Sequence, residues 1–167
     1  MQLEENVCQL KIGGRVLERI GNHQKEKEKR YFKFVGVKLD KFLDWTHHLD
    51  HVSHKLSSAN FVLSKFKNLV PISVRKLIYE SLVKAHLSYN ILCWGRSNNS
   101  RVKKIVKIQK KCIRNLANKS YTSHTHPILH DQGTLNFDDL FQLNSLTFMH
   151  KYHHQKLPLS LNNKFTP

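Results

Sequence analysis

Five basic residues could share one face of a helix in the second half of the chain. They recur at steps of three and four residues, as Lys103, Lys107, Lys110, Lys111 and Arg114. At 3.6 residues per turn these positions fall within about 100° of one another. Lysine and arginine on one helix face bind phosphates without reading bases, so the spacing predicts a sequence-independent nucleic-acid-binding surface. The alternative is a basic face that meets only solvent.

The charge balance favours phosphate binding over a solvated face. No Asp or Glu occurs between Arg101 and His130, and such a stretch repels itself unless a polyanion is near. The whole chain has 28 Lys plus Arg against 12 Asp plus Glu, with a formal net charge of +16. We therefore expect nucleic acid as the partner and no small-molecule substrate.

The histidines suggest a metal site but lack the other ligands. Two groups have helical or adjacent spacing, His47, His51, His54 and His150, His153, His154. No carboxylate or cysteine stands at a ligand spacing from either group. We predict packing or solvent exposure for them and no metal site, with a nucleic-acid contact as the other alternative.

Aromatic and acidic residues have structural explanations too. Trp45 and Trp94 could stack on bases, but both fall on apolar faces, which favours core packing. Asp138 and Asp139 open a predicted helix, where the dipole favours negative charge, so we expect them to cap it. No Gly-rich phosphate loop, Ser-His-Asp elbow or Cys-x-x-Cys pair is present. The sequence therefore predicts no catalytic residue and no cofactor.

Cysteine usage and hydropathy indicate the compartment. No apolar run approaches the roughly 18 residues that a spanning helix needs, and the N-terminus lacks the pattern of a secretory signal. The three cysteines are odd in number and widely spaced, as expected of reduced thiols, and Cys112 has an apolar helical spacing that predicts burial. We expect an intracellular protein, nuclear or cytoplasmic, without a membrane partner.

Strand signals are confined to the first forty residues. Residues 9–12 and 15–20 flank Gly13-Gly14, a pair suited to a tight hairpin. A charged loop is predicted at residues 23–30, and residues 31–39 predict one further strand.

Helical periodicity begins at Trp45. Apolar steps of four and three predict a first helix as far as Phe66, with Asp44 as its N-cap. A second helix is predicted over residues 72–90, with an apolar face formed by Leu77, Ile78, Leu82, Ala85 and Tyr89. The basic stripe lies on a third helix that starts near Ser100.

The rest of the chain predicts a loop and one more helix. Residues 118–136 indicate a loop with one turn at residues 128–130, and a last helix follows with Asn136 as its cap. The fold class is thus mainly α: a short N-terminal β-hairpin and strand, a three-helix bundle with antiparallel neighbours, and one further helix. We divide the chain at residues 1–41, 42–118 and 119–167.

Four motifs together resemble one family. In order they are Phe34-Val-Gly-Val-Lys-Leu-Asp40, Leu43-Asp-Trp-Thr-His-His48, the stretch from Leu87-Ser-Tyr89 to Trp94-Gly95, and Ile108-Gln-Lys-Lys-Cys-Ile-Arg114. In this order and spacing they resemble the palm–thumb junction and thumb of reverse transcriptases from LINE-type (non-LTR) retrotransposons. The similarity covers roughly residues 11–159 and departs from the family at Val35, where Leu is usual.

The resemblance implies a role for each part. Phe34, Val35, Gly36 and Val37 would belong to a primer-grip strand, residues 1–41 to the palm edge and residues 42–118 to a thumb that holds an RNA–DNA hybrid or duplex. Residues 119–167 would be the post-thumb segment. The family's catalytic aspartates, which hold two divalent ions, are not in this sequence. We therefore expect a truncated or relic enzyme that does not copy nucleic acid alone.

Two other hypotheses remain open. The chain could be a stand-alone basic helical adaptor that binds RNA or DNA, or an interaction domain whose charge is incidental. If a palm once covered this piece, apolar surface around Phe32, Phe34 and Val35 should be exposed.

Overall fold

A computed structural model describes residues 11–12, 15–16, 31–97, 100–158 and 161 of the chain. The described residues form a mainly helical fold that starts with a two-stranded antiparallel hairpin, which confirms the predicted fold class. The predicted charged loop at residues 23–30, and nearly all of the chain after Pro158, lie outside the described residues.

Strands and helices follow one another along the chain without a long gap after residue 31. The elements are β1 (Lys11–Ile12), β2 (Arg15–Val16), β3 (Tyr31–Phe34), β4 (Val37–Asp40), α1 (Thr46–Phe66), α2 (Ile72–Ile78), a π-helical stretch (Tyr79–Lys84), α3 (Ala85–Ser88), α4 (Ile91–Trp94), α5 (Ser100–Leu116), α6 (Thr125–Gln132) and α7 (Phe137–His153). Strand β1 pairs with β2 and strand β3 with β4, both antiparallel. The π-helical stretch joins α2 to α3 directly.

Residues 31–39 belong to a hairpin, so the prediction of one strand was wrong. Phe34 pairs with Val37 and leaves Val35-Gly36 as a two-residue turn. Both turn residues have positive φ, 43° for Val35 and 82° for Gly36, which is the pattern of a type I′ turn. A β-branched residue resists positive φ, so Val-Gly is not a usual pair for this turn. That local strain is why the sequence pattern did not indicate it.

Helix α1 begins one position later than the predicted cap implies. Asp44 Oδ1 accepts a hydrogen bond from the amide of Thr46 at 2.7 Å, and this bond lowers the pKa of the Asp44 carboxyl. The residue directly before the helix is Trp45, in the left-handed region with a φ of 64°. Asp44 therefore satisfies a first-turn amide as expected, although Trp45 occupies the capping position.

The segment from α2 to α3 buries a different face from the predicted one. Tyr79, Val83 and Leu87 are completely buried, whereas Leu77 is 68% exposed. The buried positions recur every four residues, a spacing that drifts by about 40° per step on an α-helix. The wider turns of the π-helical stretch reduce that drift and keep the three side chains on one side. A constant helical period could not predict this face.

Residues 125–132 form helix α6, so the prediction of a loop with one turn was wrong. Pro127 lies in the first helical turn, where its missing amide costs no hydrogen bond. Gly133, with a φ of 57°, ends the helix, and its amide donates to the carbonyl of His130 at 3.0 Å. Proline and glycine are the start and stop signals of a helix here, whereas their place among polar residues predicted a loop.

The last helix begins as predicted. Asn136 Oδ1 accepts a hydrogen bond from the amide of Asp139 at 2.9 Å, and Asp138 also lies in the first turn. The two carboxylates stand where the helix dipole favours negative charge. Their predicted capping role is confirmed.

Helices α1 and α5 run parallel at the centre of the fold. Side-chain hydrogen bonds between them advance together along both helices, joining Arg101 to Asp50, Asn115 to Asn60 and Asn118 to Asn68, each at 2.9 Å. The segment from α2 to α3 runs back between them, since Trp94 beyond its end packs on His48 at the start of α1, with ring centroids 5.7 Å apart. Consecutive helices are therefore antiparallel, as predicted.

One polar contact lies inside the apolar core. Gln109 is 1% exposed, and its Nε2 donates to the Tyr79 hydroxyl and to the Leu135 carbonyl, both at 3.1 Å. Burial raises the pKa of the Tyr79 hydroxyl to about 12 and that of the Cys112 thiol to about 12. Cys112 is thus a neutral, buried thiol, as predicted.

A histidine lies between the two tryptophans. His48 is 3% exposed and packs edge-on against Trp45 and Trp94, with centroids 6.3 and 5.7 Å apart. Neither ring nitrogen has a hydrogen-bond partner among the described residues. Burial lowers the pKa of His48 to about 4, so the ring stays neutral near pH 7. Trp94 is fully buried, which confirms core packing for this tryptophan.

Two Leu→Ala changes on one helical segment test the buried face. Leu87→Ala should lower the free energy of unfolding by about 2–5 kcal/mol, because it leaves a cavity in the core. Leu77→Ala, the matched control, should change it by less than about 0.5 kcal/mol because Leu77 is exposed. Urea unfolding measures both. Equal losses would contradict the assigned face.

The buried His48 should make folding sensitive to acid. Its pKa is about 4 when folded and near the ordinary histidine value of 6.5 when unfolded, so only the unfolded chain binds the proton between those values. The free energy of unfolding should therefore fall as the pH is lowered from 6.5 to 4, by up to about 1.4 kcal/mol per pH unit from this group. His48→Phe should have a shallower decline in urea unfolding measured across that range. An unchanged decline would show that His48 titrates normally in the fold.

Candidate nucleic-acid interface

The predicted basic stripe lies on the outer side of α5. Lys103, Lys107, Lys110 and Lys111 are exposed, and Arg114 is half-buried. They span eleven residue steps of one helix, which is about 17 Å along its axis. Lys104 is also exposed next to the stripe, at a position that we did not include because it falls beyond the 100° arc.

The opposite side of α5 fixes which way the stripe faces. That side is buried in the core through Ile105, Ile108, Gln109, Cys112, Ile113 and Leu116. Any rotation of the helix would expose these apolar side chains, at a cost of about 1.5–3 kcal/mol for each large one. The cations therefore face outward because the core holds the other side.

Among the described residues near α5, the cations that have a carboxylate partner lie at or before the start of the helix. Arg101 Nε lies 2.9 Å from Asp50 Oδ1, and Arg96 lies 3.6 Å from Asp138. Within the described ranges, no carboxylate lies within 4 Å of the five stripe residues. The stripe contains five like-charge pairs at three- or four-residue spacing, which together cost roughly 1–2.5 kcal/mol. A bound polyanion would relieve that repulsion.

The stripe continues into a pocket that the sequence did not predict. Lys111 and Arg114 line it together with Lys67, Lys119 and Tyr121. Lys67 follows α1 and the other two follow α5, so about fifty residues of chain separate them. No periodic pattern links such positions, and only the parallel packing of α1 and α5 could have indicated the pocket.

The predicted primer-grip residues lie on the hairpin of β3 and β4. Phe34 and Val35 are 59% and 70% exposed, Gly36 is in the turn, and Val37 is buried. Phe32 is also 50% exposed, so the expected exposed apolar surface at this hairpin is confirmed. Only the first two predicted side chains are available to a ligand.

Tyr89 connects the hairpin to the helices. Its hydroxyl donates a hydrogen bond to the Val35 carbonyl, and its ring would lie 3.5 Å from a Cβ added at Gly36. Strand β4 packs against α1, and the Tyr31 ring lies 5.2 Å from that of His47 near the start of the helix. The turn is thus held at the side chain of one tyrosine.

The hairpin and the basic pocket lie at opposite ends of α1. Tyr31 contacts His47 in the first turn, whereas Asn60 and Lys67 line the pocket at the far end. The length of α1, 21 residues, separates the ends by about 30 Å. The structure does not bring the two sets of predicted residues into one compact site.

Other kinds of site find no residues to support them in the described part of the chain. Within residues 31–97 and 100–158, no three His, Cys, Asp or Glu side chains form a group that could hold a metal ion. None of the described helices is both long and apolar enough to cross a bilayer. Comparisons with protein-family models, curated proteins and solved structures find no significant match to this chain.

Two opposite changes test how the hairpin turn is held. Tyr89→Phe removes the bond to the Val35 carbonyl and should speed hydrogen exchange of the paired amides of β3 and β4 by several-fold, for a bond of about 1 kcal/mol. Val35→Asn creates Asn-Gly, the preferred type I′ pair, and should slow that exchange. The exchange rates of these amides are measured by NMR in both variants. A change of the same sign in both variants would contradict the turn assignment.

Proposed function

We propose that this chain is the thumb-type, nucleic-acid-binding portion of a LINE-type reverse transcriptase, and that α5 holds the phosphate backbones of an RNA–DNA hybrid or DNA duplex. The observation that carries the proposal is the outward stripe from Lys103 to Arg114, which no carboxylate in the described ranges neutralises. A polymerase must move along any sequence, so its duplex contacts should be to phosphates.

The placement of the stripe on a rigid helix supports this function. Side chains on a buried helix keep their spacing while a ligand slides past, and about 17 Å of helix matches roughly ten charges of double-stranded DNA. The five stripe cations, together with the adjacent Lys104, can therefore neutralise several of these phosphates at once. Long lysine side chains also adapt to both A-form and B-form backbones.

The four motifs of the resemblance support the assignment to a thumb. The Phe34 to Asp40 motif precedes α1, the Leu87 to Gly95 motif ends the second helical segment, and the Ile108 to Arg114 motif carries the stripe. The sequence has no two adjacent aspartates outside the α7 cap, so this chain should bind but not extend a primer.

Removing three lysines tests the binding function. Lys103→Gln, Lys107→Gln and Lys110→Gln together should weaken binding to every duplex sequence alike. They should also reduce the slope of log affinity against log salt by up to about three units, one for each lost phosphate contact. Fluorescence anisotropy at several salt concentrations measures both effects.

The control removes the same charge elsewhere. The control variant combines Lys76→Gln, Lys151→Gln and Lys156→Gln. Lys76 lies on α2, Lys151 on α7 and Lys156 after α7, and all three side chains are exposed. A control that weakens binding as much as the stripe variant would mean that only net charge matters. Binding of DNA duplex without any binding of RNA–DNA hybrid would contradict the reverse-transcriptase proposal and favour the stand-alone adaptor.

A further inference from the structure

A basic pocket lies where α1 and α5 end side by side. Its volume is about 260 Å³, and its walls are formed by Asn60, Lys67, Lys111, Arg114, Asn115, Lys119, Ser120 and Tyr121. Four of these eight side chains are cationic and none is a carboxylate. The parallel packing of α1 and α5 brings their C-terminal ends together and so creates this concentration of charge.

The helix ends alone do not explain four cations. Each helix C-terminus carries roughly −0.5 of an elementary charge, so two ends attract cations and compensate about one positive charge. The pocket contains four positive charges, on Lys67, Lys111, Arg114 and Lys119. About three positive charges are left without compensation inside one concave site, which a dianionic group such as a phosphate monoester would largely neutralise.

Several donors in the pocket are held in place. Arg114 Nε donates to the Ser123 carbonyl at 2.8 Å, which positions the guanidinium and leaves its two terminal nitrogens without a hydrogen-bond partner among the described residues. Asn115 Nδ2 donates to Asn60 Oδ1 at 2.9 Å, so the amide nitrogen of Asn60 is available as a donor. The planar guanidinium of Arg114, next to positioned amide groups, can donate hydrogen bonds to several oxygens of a phosphate. A point charge such as an ammonium group does this less well.

An aromatic ring stands at the edge of the same pocket. Tyr121 is 71% exposed, and its ring centroid lies 5.6 Å from Arg114 Cζ and 5.9 Å from Lys111 Nζ. Cations next to an exposed ring are the combination by which single-stranded nucleic acids are bound, with phosphates in the groove and bases on the aromatic face. The volume is below that of most drug-sized sites and suits one nucleotide unit.

We propose that this pocket binds a nucleotide unit, with its phosphate between Lys67, Arg114 and Lys119 and its base stacked on Tyr121. The pocket adds a single unpaired nucleotide to the ligands of the proposed nucleic-acid-binding function, which otherwise uses the outward face of α5. The inference therefore rests on that proposed function. A free nucleotide and the phosphorylated end of a single strand offer the same chemistry. Duplex DNA, whose bases are stacked on each other, does not.

Isothermal titration of the full chain tests the pocket with five probes: inorganic phosphate, adenosine, adenosine 5′-monophosphate, a short single strand with a 5′-phosphate and the same strand without it. Stacking should make the monophosphate bind about 5- to 150-fold more tightly than inorganic phosphate. A strand with a 5′-phosphate that binds more tightly than both the unphosphorylated strand and the free monophosphate identifies a strand end as the ligand, whereas a 5′-phosphate that adds nothing to strand binding identifies a free nucleotide. Monophosphate that binds no more tightly than phosphate, or not at all at millimolar concentration, overturns the proposal.

Variants separate the pocket from the stripe. Lys67→Gln with Lys119→Gln should weaken monophosphate binding at least about tenfold, since two charged contacts are lost. Tyr121→Leu should weaken binding of the monophosphate but not of phosphate. Lys151→Gln with Lys156→Gln, the equal-charge control, should change neither, and a control loss equal to that of the pocket variant overturns the proposal.

The two proposals can fail independently. The stripe variant at Lys103, Lys107 and Lys110 changes no pocket residue, so it should keep wild-type affinity for the monophosphate. Monophosphate binding without duplex binding would contradict only the function proposed for the stripe. Duplex binding without monophosphate binding would contradict only the function proposed for the pocket.

Discussion

The packing of α5 against α1 determines most of what this protein presents to its surroundings. One side of α5 is apolar and buried, so the other side must face outward, and the sequence places five stripe cations and no acid on that side. Hydrogen bonds such as the one from Asn115 to Asn60 fix the two helices in parallel register. The buried side thus sets the direction of the charged one, and hydrophobic burial determines where positive charge is displayed.

The same packing distributes charge unevenly along the helix pair. Near the beginning of α5, Arg101 is paired with Asp50, so positive charge there is partly neutralised. Towards its end, Lys111 and Arg114 meet Lys67 and Lys119 across the pocket. Side-chain positive charge is therefore less neutralised at the pocket end of the helix pair than near the beginning of α5. Several uncompensated cations favour a ligand with phosphates over one with a single charge.

Elements with one clear physical signal could be predicted from the sequence. The apolar period and the acid-free face of α5, the cap of α7 at Asn136 and the burial of Cys112 each depend on local spacing, and the structure has all three. The fold class follows from the same patterns. Local spacing predicts the buried face wherever a helix keeps a regular period and packs against a single core.

Elements that depend on several competing signals could not be predicted. The π-helical stretch changes the period inside a helix, so Leu77 of the predicted apolar face is exposed, whereas Leu87, which was not part of that face, is buried. The hairpin turn puts Val35 in a backbone region that valine avoids, and a tyrosine 54 residues away holds it. The pocket joins residues from the ends of two helices. The turn and the pocket depend on tertiary contacts, which are absent from any local pattern.

The most direct measurement is an NMR titration of the isotopically labelled chain with a short RNA–DNA hybrid. If α5 is the binding surface, the amide signals from residue 103 to residue 114 should shift progressively, while the α7 signals stay in place. Shifts confined to the hairpin or to α7, or no shift at low salt, would contradict the claim that the outward face of α5 holds nucleic acid.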